Sequence, residues 1–140
     1  MSIQGKLKAY GKENMKSQLA VADPYTIITM LMQGALDRLA RGKGCIERKD
    51  LQGKSKNLSD ASAIITSLNE SLDFSKGGEV ISNLGGLYNY MLTRIGDATI
   101  DNIVEPLDEV IRLLLEIKSG WDSIPQAEVD KALELQAKAS

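Results

Sequence analysis

Apolar residues recur along most of this chain at alternating steps of three and four, which is the spacing of one face of a helix. Four segments carry the pattern: Ile28–Leu39, Leu58–Leu72, Ile81–Ile95 and Leu107–Trp121. Strict alternation of this kind is typical of helices that pack lengthwise and are joined by short connections. The sequence therefore predicts an all-α protein with the architecture of an antiparallel up-down four-helix bundle.

Residues that favour helix ends divide this pattern into separate helices. Asp23 and Pro24 suit an N-cap and a first helical position, which predicts a first helix from Pro24 into the high forties. The charged segment 47–57 is predicted to separate this helix from the second, and the segment 97–102 is predicted to interrupt the pattern after the third. Pro106 lies where the fourth helix can begin.

Two glycine pairs near the middle of the chain lead to different predictions. Gly77 suits the left-handed position that ends a helix and Gly78 suits the next N-cap, so this pair predicts a tight turn between the second and third helices. Gly85 and Gly86 lie inside the third helix, where glycine lowers helix stability. Two explanations stay open for them: a neutral local choice, or a flat face that a neighbouring backbone can approach.

Two segments are predicted to lie outside the bundle, which spans residues 23–123. Residues 1–22 contain four lysines and one glutamate, a local charge of +3, and are predicted to form an N-terminal arm. Residues 124–140 are predicted to form a C-terminal tail, in which Val129 and Leu133 have the spacing of a short helix.

The composition of the chain excludes several classes of function. The chain has no histidine, which removes the usual general base and the commonest metal ligand, and its one cysteine cannot form an internal disulfide. A net charge of −2 and an aromatic content of 4% argue against a nucleic-acid partner. No apolar run is long enough for membrane insertion and no secretory signal is visible, so we expect a cytoplasmic protein without metal or cofactor.

No motif in the sequence predicts an enzyme. The segment Gly53–Ser55 matches the end of a phosphate-binding loop, but Arg48 occupies the position of the required earlier glycine and no strand precedes it. Cys45 has no partner base. Acidic residues of the last helix, such as Asp108 and Glu109, are typical of a solvated face.

The predicted helices carry more apolar residues than one narrow seam requires, and the surplus favours an exposed apolar groove that binds a partner. For any single residue, burial in the core is the alternative. Periodicity selects these candidate groove residues: Ile64, Leu68, Leu84, Leu87, Tyr88, Met91 and Leu92.

Four blocks of the chain, in the same order, resemble the FliS family of flagellar secretion chaperones of flagellin. They are KLKAY at 6–10, ADPYTIITMLMQGAL at 22–36, SLDFSKGGEVISNLGGLYNYM at 71–91 and LDEVIRLLLEIKSGWDSI at 107–124. The chain departs from the family pattern at Met32 and Gln33, where an aromatic residue and an aspartate are common. It also has Asn89 between the two tyrosines, where aspartate is common.

This resemblance implies a cytoplasmic chaperone of the flagellar type III secretion apparatus. Such a chaperone binds the disordered C-terminal segment of flagellin, prevents premature polymerisation and delivers its client to the export gate. The resemblance also implies a mobile N-terminal arm that lies over the client groove, with Leu7 and Tyr10 used in docking to the gate. A homodimer is left open. The alternative is a helical-bundle adaptor that binds another amphipathic helix and has no role in secretion.

Overall fold

The structure is a computed structural model of the chain, and it describes residues 23–72 and 78–123. These residues form four α-helices and no strand, which confirms the predicted all-α class. The helices are α1 (Pro24–Glu47), α2 (Leu51–Glu70), α3 (Gly78–Asp101) and α4 (Glu105–Asp122). The predicted arm and tail, residues 1–22 and 124–140, lie outside the described residues.

The four helices form a bundle around one apolar core. Each helix packs against the next one along the chain, and α1 also packs against α4. All four contribute side chains with no exposed surface, among them Leu39, Ile65, Met91 and Leu114. These residues fall on the predicted stripes, and each one stabilises the fold by about 1.5–3 kcal/mol relative to an exposed position.

The predicted starts of the first and last helices are confirmed. The Asp23 side chain accepts a hydrogen bond from the Thr26 backbone N–H at 2.7 Å, and Pro24 occupies the first turn of α1. Pro106 lies in the first turn of α4 together with Glu105. An acidic residue at this end of a helix is stabilised by the helix dipole.

The connection between α1 and α2 is shorter than the charged segment 47–57 predicts. α2 already begins at Leu51, because Asp50 accepts a hydrogen bond from the Gly53 N–H at 2.9 Å and caps the new helix. Lys49 makes the turn with a left-handed backbone, φ 60°. The charged residues of the segment do not delay α2: Lys56 is exposed, and Lys54 is buried with its ammonium bonded to the end of α3.

The predicted tight turn at Gly77 and Gly78 is wrong, because α2 ends at Glu70. Ser71 caps that end: its hydroxyl donates to the Leu68 carbonyl at 2.6 Å, and its N–H also bonds back to the last turn. Seven residues, 71–77, therefore lie between the two described helices, and 73–77, including Gly77, are outside the described residues. Gly78 opens α3 with φ +57°.

The predicted interruption at 97–102 is also wrong, because α3 continues to Asp101. Asn102 ends it with a left-handed backbone, φ 55°, a conformation that asparagine tolerates better than most residues. The buried Lys54 of α2 secures this end. Its ammonium donates to the Thr99 carbonyl at 3.0 Å and to the Asn102 side chain, so α2 and α3 are joined by polar bonds at the end of α3.

Candidate functional site

A cleft of about 600 Å³ opens where α1 and α3 begin and α2 and α4 end. We call it the end cleft. Side chains from all four helix ends line it, including Ile27, Ile28, Leu72, Ile81, Leu84 and Ile117. None of the described residues that line the cleft carries a formal charge, so its wall is suited to apolar side chains.

Trp121 is held in the wall of the end cleft by three contacts with α1. Its indole stacks on the Tyr25 ring, with centroids 4.8 Å apart and an angle of 14° between the planes. The indole N–H donates to the Thr29 hydroxyl at 2.9 Å, and the Tyr25 hydroxyl donates to the Trp121 carbonyl at 3.0 Å. Because its indole N–H is paired, Trp121 adds apolar surface to the cleft without an unsatisfied donor, and Tyr25 supports it from behind the lining.

Tyr88 contributes a buried phenol to the same cleft. Its side chain is only 1% exposed, and burial raises its pKa to about 12. The phenol is therefore neutral at physiological pH and cannot act as a general base there. The chemistry that the lining of the end cleft offers is apolar contact with at most neutral hydrogen bonding, which suits the recognition of apolar side chains.

A second apolar surface lies on the outside of α3. It consists of Val80, Leu87 and Tyr90, which are 73%, 38% and 44% exposed and follow one another at steps of seven and three. We call it the α3 stripe. Gly86 adjoins it, and a β-carbon at Gly86 would have no neighbour within 4 Å, so the backbone is open to approach from outside at this point.

An ionic network borders the α3 stripe on the side of α4. Arg94 donates to the Glu109 carboxylate at 2.8 Å and to Asp97 at 2.9 Å, and the Tyr90 hydroxyl donates to the same Glu109 oxygen at 2.8 Å. The Tyr90 hydrogen bond, followed by that from Arg94, lowers the pKa of Glu109. The network holds the Tyr90 ring in place at the edge of the stripe.

The structure places most of the candidate groove residues in the core. Four have exposed fractions of 2% or less: Ile64, Leu68, Tyr88 and Met91. Leu84 and Leu92 are partly buried and pack against the core, whereas Leu87 is exposed on the α3 stripe. The core positions have little surface to offer a partner in this conformation.

The end cleft brings together three of the candidates, Leu68, Leu84 and Tyr88, which touch it from the edge of the core. Ile64, Met91, Leu87 and Leu92 do not line it. Leu7 and Tyr10 lie outside the described residues. Partner contact by any of these residues stays a prediction.

Sequence reasoning did not identify the role of Tyr25 and Trp121 at the cleft. Trp121 was assigned to the α4 stripe and Tyr25 to no stripe, because periodicity shows which face of a helix is buried but not which helix ends meet. Their positions in the sequence could have indicated the contact. Tyr25 is the second residue of α1 and Trp121 is next to the last residue of α4, so the two meet when these helices pack antiparallel.

Within residues 23–72 and 78–123, no three histidine, cysteine or carboxylate side chains come together as a metal site. In the same ranges, no helix combines the length and the apolarity needed to cross a membrane.

Comparisons with known proteins give a consistent result. The model of the family "Flagellar protein FliS" matches residues 6–128. The flagellar secretion chaperone FliSB of Pseudomonas aeruginosa is 43% identical over 118 residues, which cover 84% of this chain and 94% of that protein. The flagellar secretion chaperone FliS of Vibrio cholerae is 41% identical over 88% of this chain and 90% of its own length. That of Bacillus subtilis is 30% identical over 91% and 92%.

Proposed function

This chain belongs to the FliS family of flagellar secretion chaperones, and from that premise we propose that it is an export chaperone of flagellin. It binds the C-terminal segment of flagellin in the cytoplasm, prevents premature polymerisation and delivers the client to the flagellar export gate. The match of the family model to residues 6–128 is the observation that carries the proposal.

The apolar surfaces of the bundle support this role. The end cleft and the α3 stripe both present side chains without charge, and an amphipathic helix can cover such surfaces while its own backbone stays hydrogen-bonded. Ordering a disordered client costs about 1–2 kcal/mol per residue in backbone entropy, and burial returns about 25 cal/mol per Å². A long interface is therefore needed, and more than one apolar surface on the chaperone is consistent with it.

The proposal includes the division of the chain into an arm (1–22), a bundle (23–123) and a tail (124–140). Leu7 and Tyr10 of the mobile arm dock to the export gate. It also includes the up-down order of the helices. That order is supported by contacts at both ends of α1 and α4: Tyr25 with Trp121, and Lys43 with Asp108 at 2.7 Å.

The alternative function is a bundle adaptor for some other amphipathic helix. The two functions differ in selectivity, so calorimetry should compare a flagellin C-terminal peptide with an unrelated amphipathic helix of equal length and charge. We expect the flagellin peptide to bind more tightly, to gain helix by circular dichroism and to show a negative heat-capacity change, because apolar area leaves water. Equal binding of both peptides supports the adaptor, and no binding of any flagellin C-terminal peptide rejects the chaperone role.

A further inference from the structure

The end cleft lies beside the point where the described part of the chain ends. The last turn of α4 supplies Gly120 and Trp121 to its wall, and α4 ends at Asp122. Seventeen residues follow Ser123 in the sequence. We propose that this segment, residues 124–140, occupies the end cleft of the same molecule.

The composition of the segment fits the chemistry of the cleft. Its sequence is IPQAEVDKALELQAKAS, which begins with the apolar residue Ile124. Val129 and Leu133 follow four residues apart, so in a helix their side chains would lie on the same side. The charged residues of the segment, three acidic and two basic, are of mixed sign, and the proposed binding leaves them in water. A cleft without charged wall residues selects for the apolar side chains alone.

Because residues 124–140 are covalently joined to the end of α4, even a weak contact is sufficient to keep the end cleft occupied. A segment that begins next to its own binding surface has an effective concentration in the millimolar range for a short linker. The end of α4 itself contributes Ile117, Gly120 and Trp121 to the cleft wall, so no long span has to be crossed. Since the family model ends at residue 128, most of the segment lies beyond the region that this chain shares with the family.

This occupancy has a regulatory consequence that rests on the proposed function. If a client helix also uses the end cleft, residues 124–140 compete with it intramolecularly. A chain that ends at Ser123 then binds the flagellin C-terminal peptide more tightly than the full chain does. The occupancy itself is independent of flagellin and is tested without it.

Trp121 is the only tryptophan in the chain and reports directly on the cleft. The experiment measures acrylamide quenching of its fluorescence in the full chain and in a chain that ends at Ser123. We expect stronger quenching and a red-shifted emission in the shortened chain, and reversal of both when a peptide of residues 124–140 is added. Unchanged quenching overturns the proposal.

Two full-length variants keep the test independent of whether the shortened chain folds. Leu133→Asp places a charge on the apolar side of the segment and should increase quenching. Ala127→Asp adds the same charge on the opposite side and should leave quenching as it is. Equal effects of the two variants contradict the proposal.

Other occupants give different results. If removal of residues 1–22 exposes Trp121 and removal of 124–140 does not, the N-terminal arm fills the cleft and the proposal fails. If quenching in the full chain depends on protein concentration, a second copy of the chain fills it, which also overturns the intramolecular assignment. Flagellin binding measured in parallel decides the chaperone role separately.

Discussion

Gly42 of α1 lies directly against the side chain of Leu58 of α2: a β-carbon built on Gly42 would come within 2.4 Å of the Leu58 Cδ2 atom. Both residues are buried, so Leu58 has little room to move away. The absence of a side chain at Gly42 lets α1 and α2 approach closely at this point.

We expect Gly42→Ala to lower the free energy of unfolding. The overpacking costs about 1–3 kcal/mol, which exceeds the roughly 0.5–1 kcal/mol that alanine contributes to a helix over glycine. Gly86→Ala is the matched control, because its β-carbon meets nothing within 4 Å and only the helical gain remains. Urea unfolding of both variants checks the pair, and a stabilised Gly42→Ala protein would contradict the close packing.

Met91→Lys should unfold the bundle or strongly reduce its thermal stability. The Met91 side chain has no exposed surface, and a lysine there has to place its charge in an apolar core. Leu87→Lys on the α3 stripe should leave the melting curve nearly unchanged and weaken binding of the flagellin peptide. Circular dichroism and calorimetry of the two proteins test this, and a normally folded Met91→Lys protein would mean that Met91 is not in the core.

The ionisation of Glu109 should make the free energy of unfolding depend on pH at acidic values below about 4.5. Its pKa in the folded protein is lowered from 4.5, so its contribution to stability is present above about that pH and is lost as the pH falls through the lower folded value. Tyr90→Phe removes the main cause and should move the pKa of Glu109 back towards 4.5. Carboxyl titration by NMR measures the shift, and an unchanged pKa in Tyr90→Phe argues against the hydrogen bond.

Exchange of Leu7 and Tyr10 for alanine together should reduce flagellin export more than flagellin binding. The reason is the resemblance of KLKAY to the gate-docking motif of the family. Pull-down and secretion assays on the double variant measure the two activities. Loss of both to the same degree would show that these residues do not have a separate role at the gate.

The helices could be predicted from sequence because each has several turns of regular apolar spacing, and Asp23 with Pro24 marked the start of α1. Two helix ends were missed because Ser71 and Asn102 make them, through local hydrogen bonding and a left-handed backbone, without glycine or proline.

The candidate site was harder to predict because periodicity does not separate core from groove. Met91 and Leu87 are both apolar residues of α3, yet one is fully buried and the other is 38% exposed. The difference depends on how neighbouring helices are rotated against α3. The end cleft depends on contacts between residues far apart in sequence, such as Thr29 and Trp121, which no local pattern records.

The hydrogen bonds of the buried Lys54 give the two ends of the bundle different resistance to opening. The bonds from the Lys54 ammonium to the Thr99 carbonyl and the Asn102 side chain have to break before α2 and α3 separate at the end of α3. The ammonium and both oxygen acceptors would then have to be rehydrated at the same time. Towards the cleft, the hydrogen bonds of Tyr25 and Trp121 join α1 to α4, and α2 is joined to α3 by an exposed side-chain hydrogen bond from Asn69 to Asn89 at 3.1 Å. Native-state hydrogen exchange should therefore show a gradient along α2 and α3, with amides near the cleft exchanging through small fraying motions and those near Lys54 only through larger opening. A helix that inserts between α2 and α3 would enter from the cleft end, where the helices fray. The end near Lys54 would stay closed and keep the two helices together.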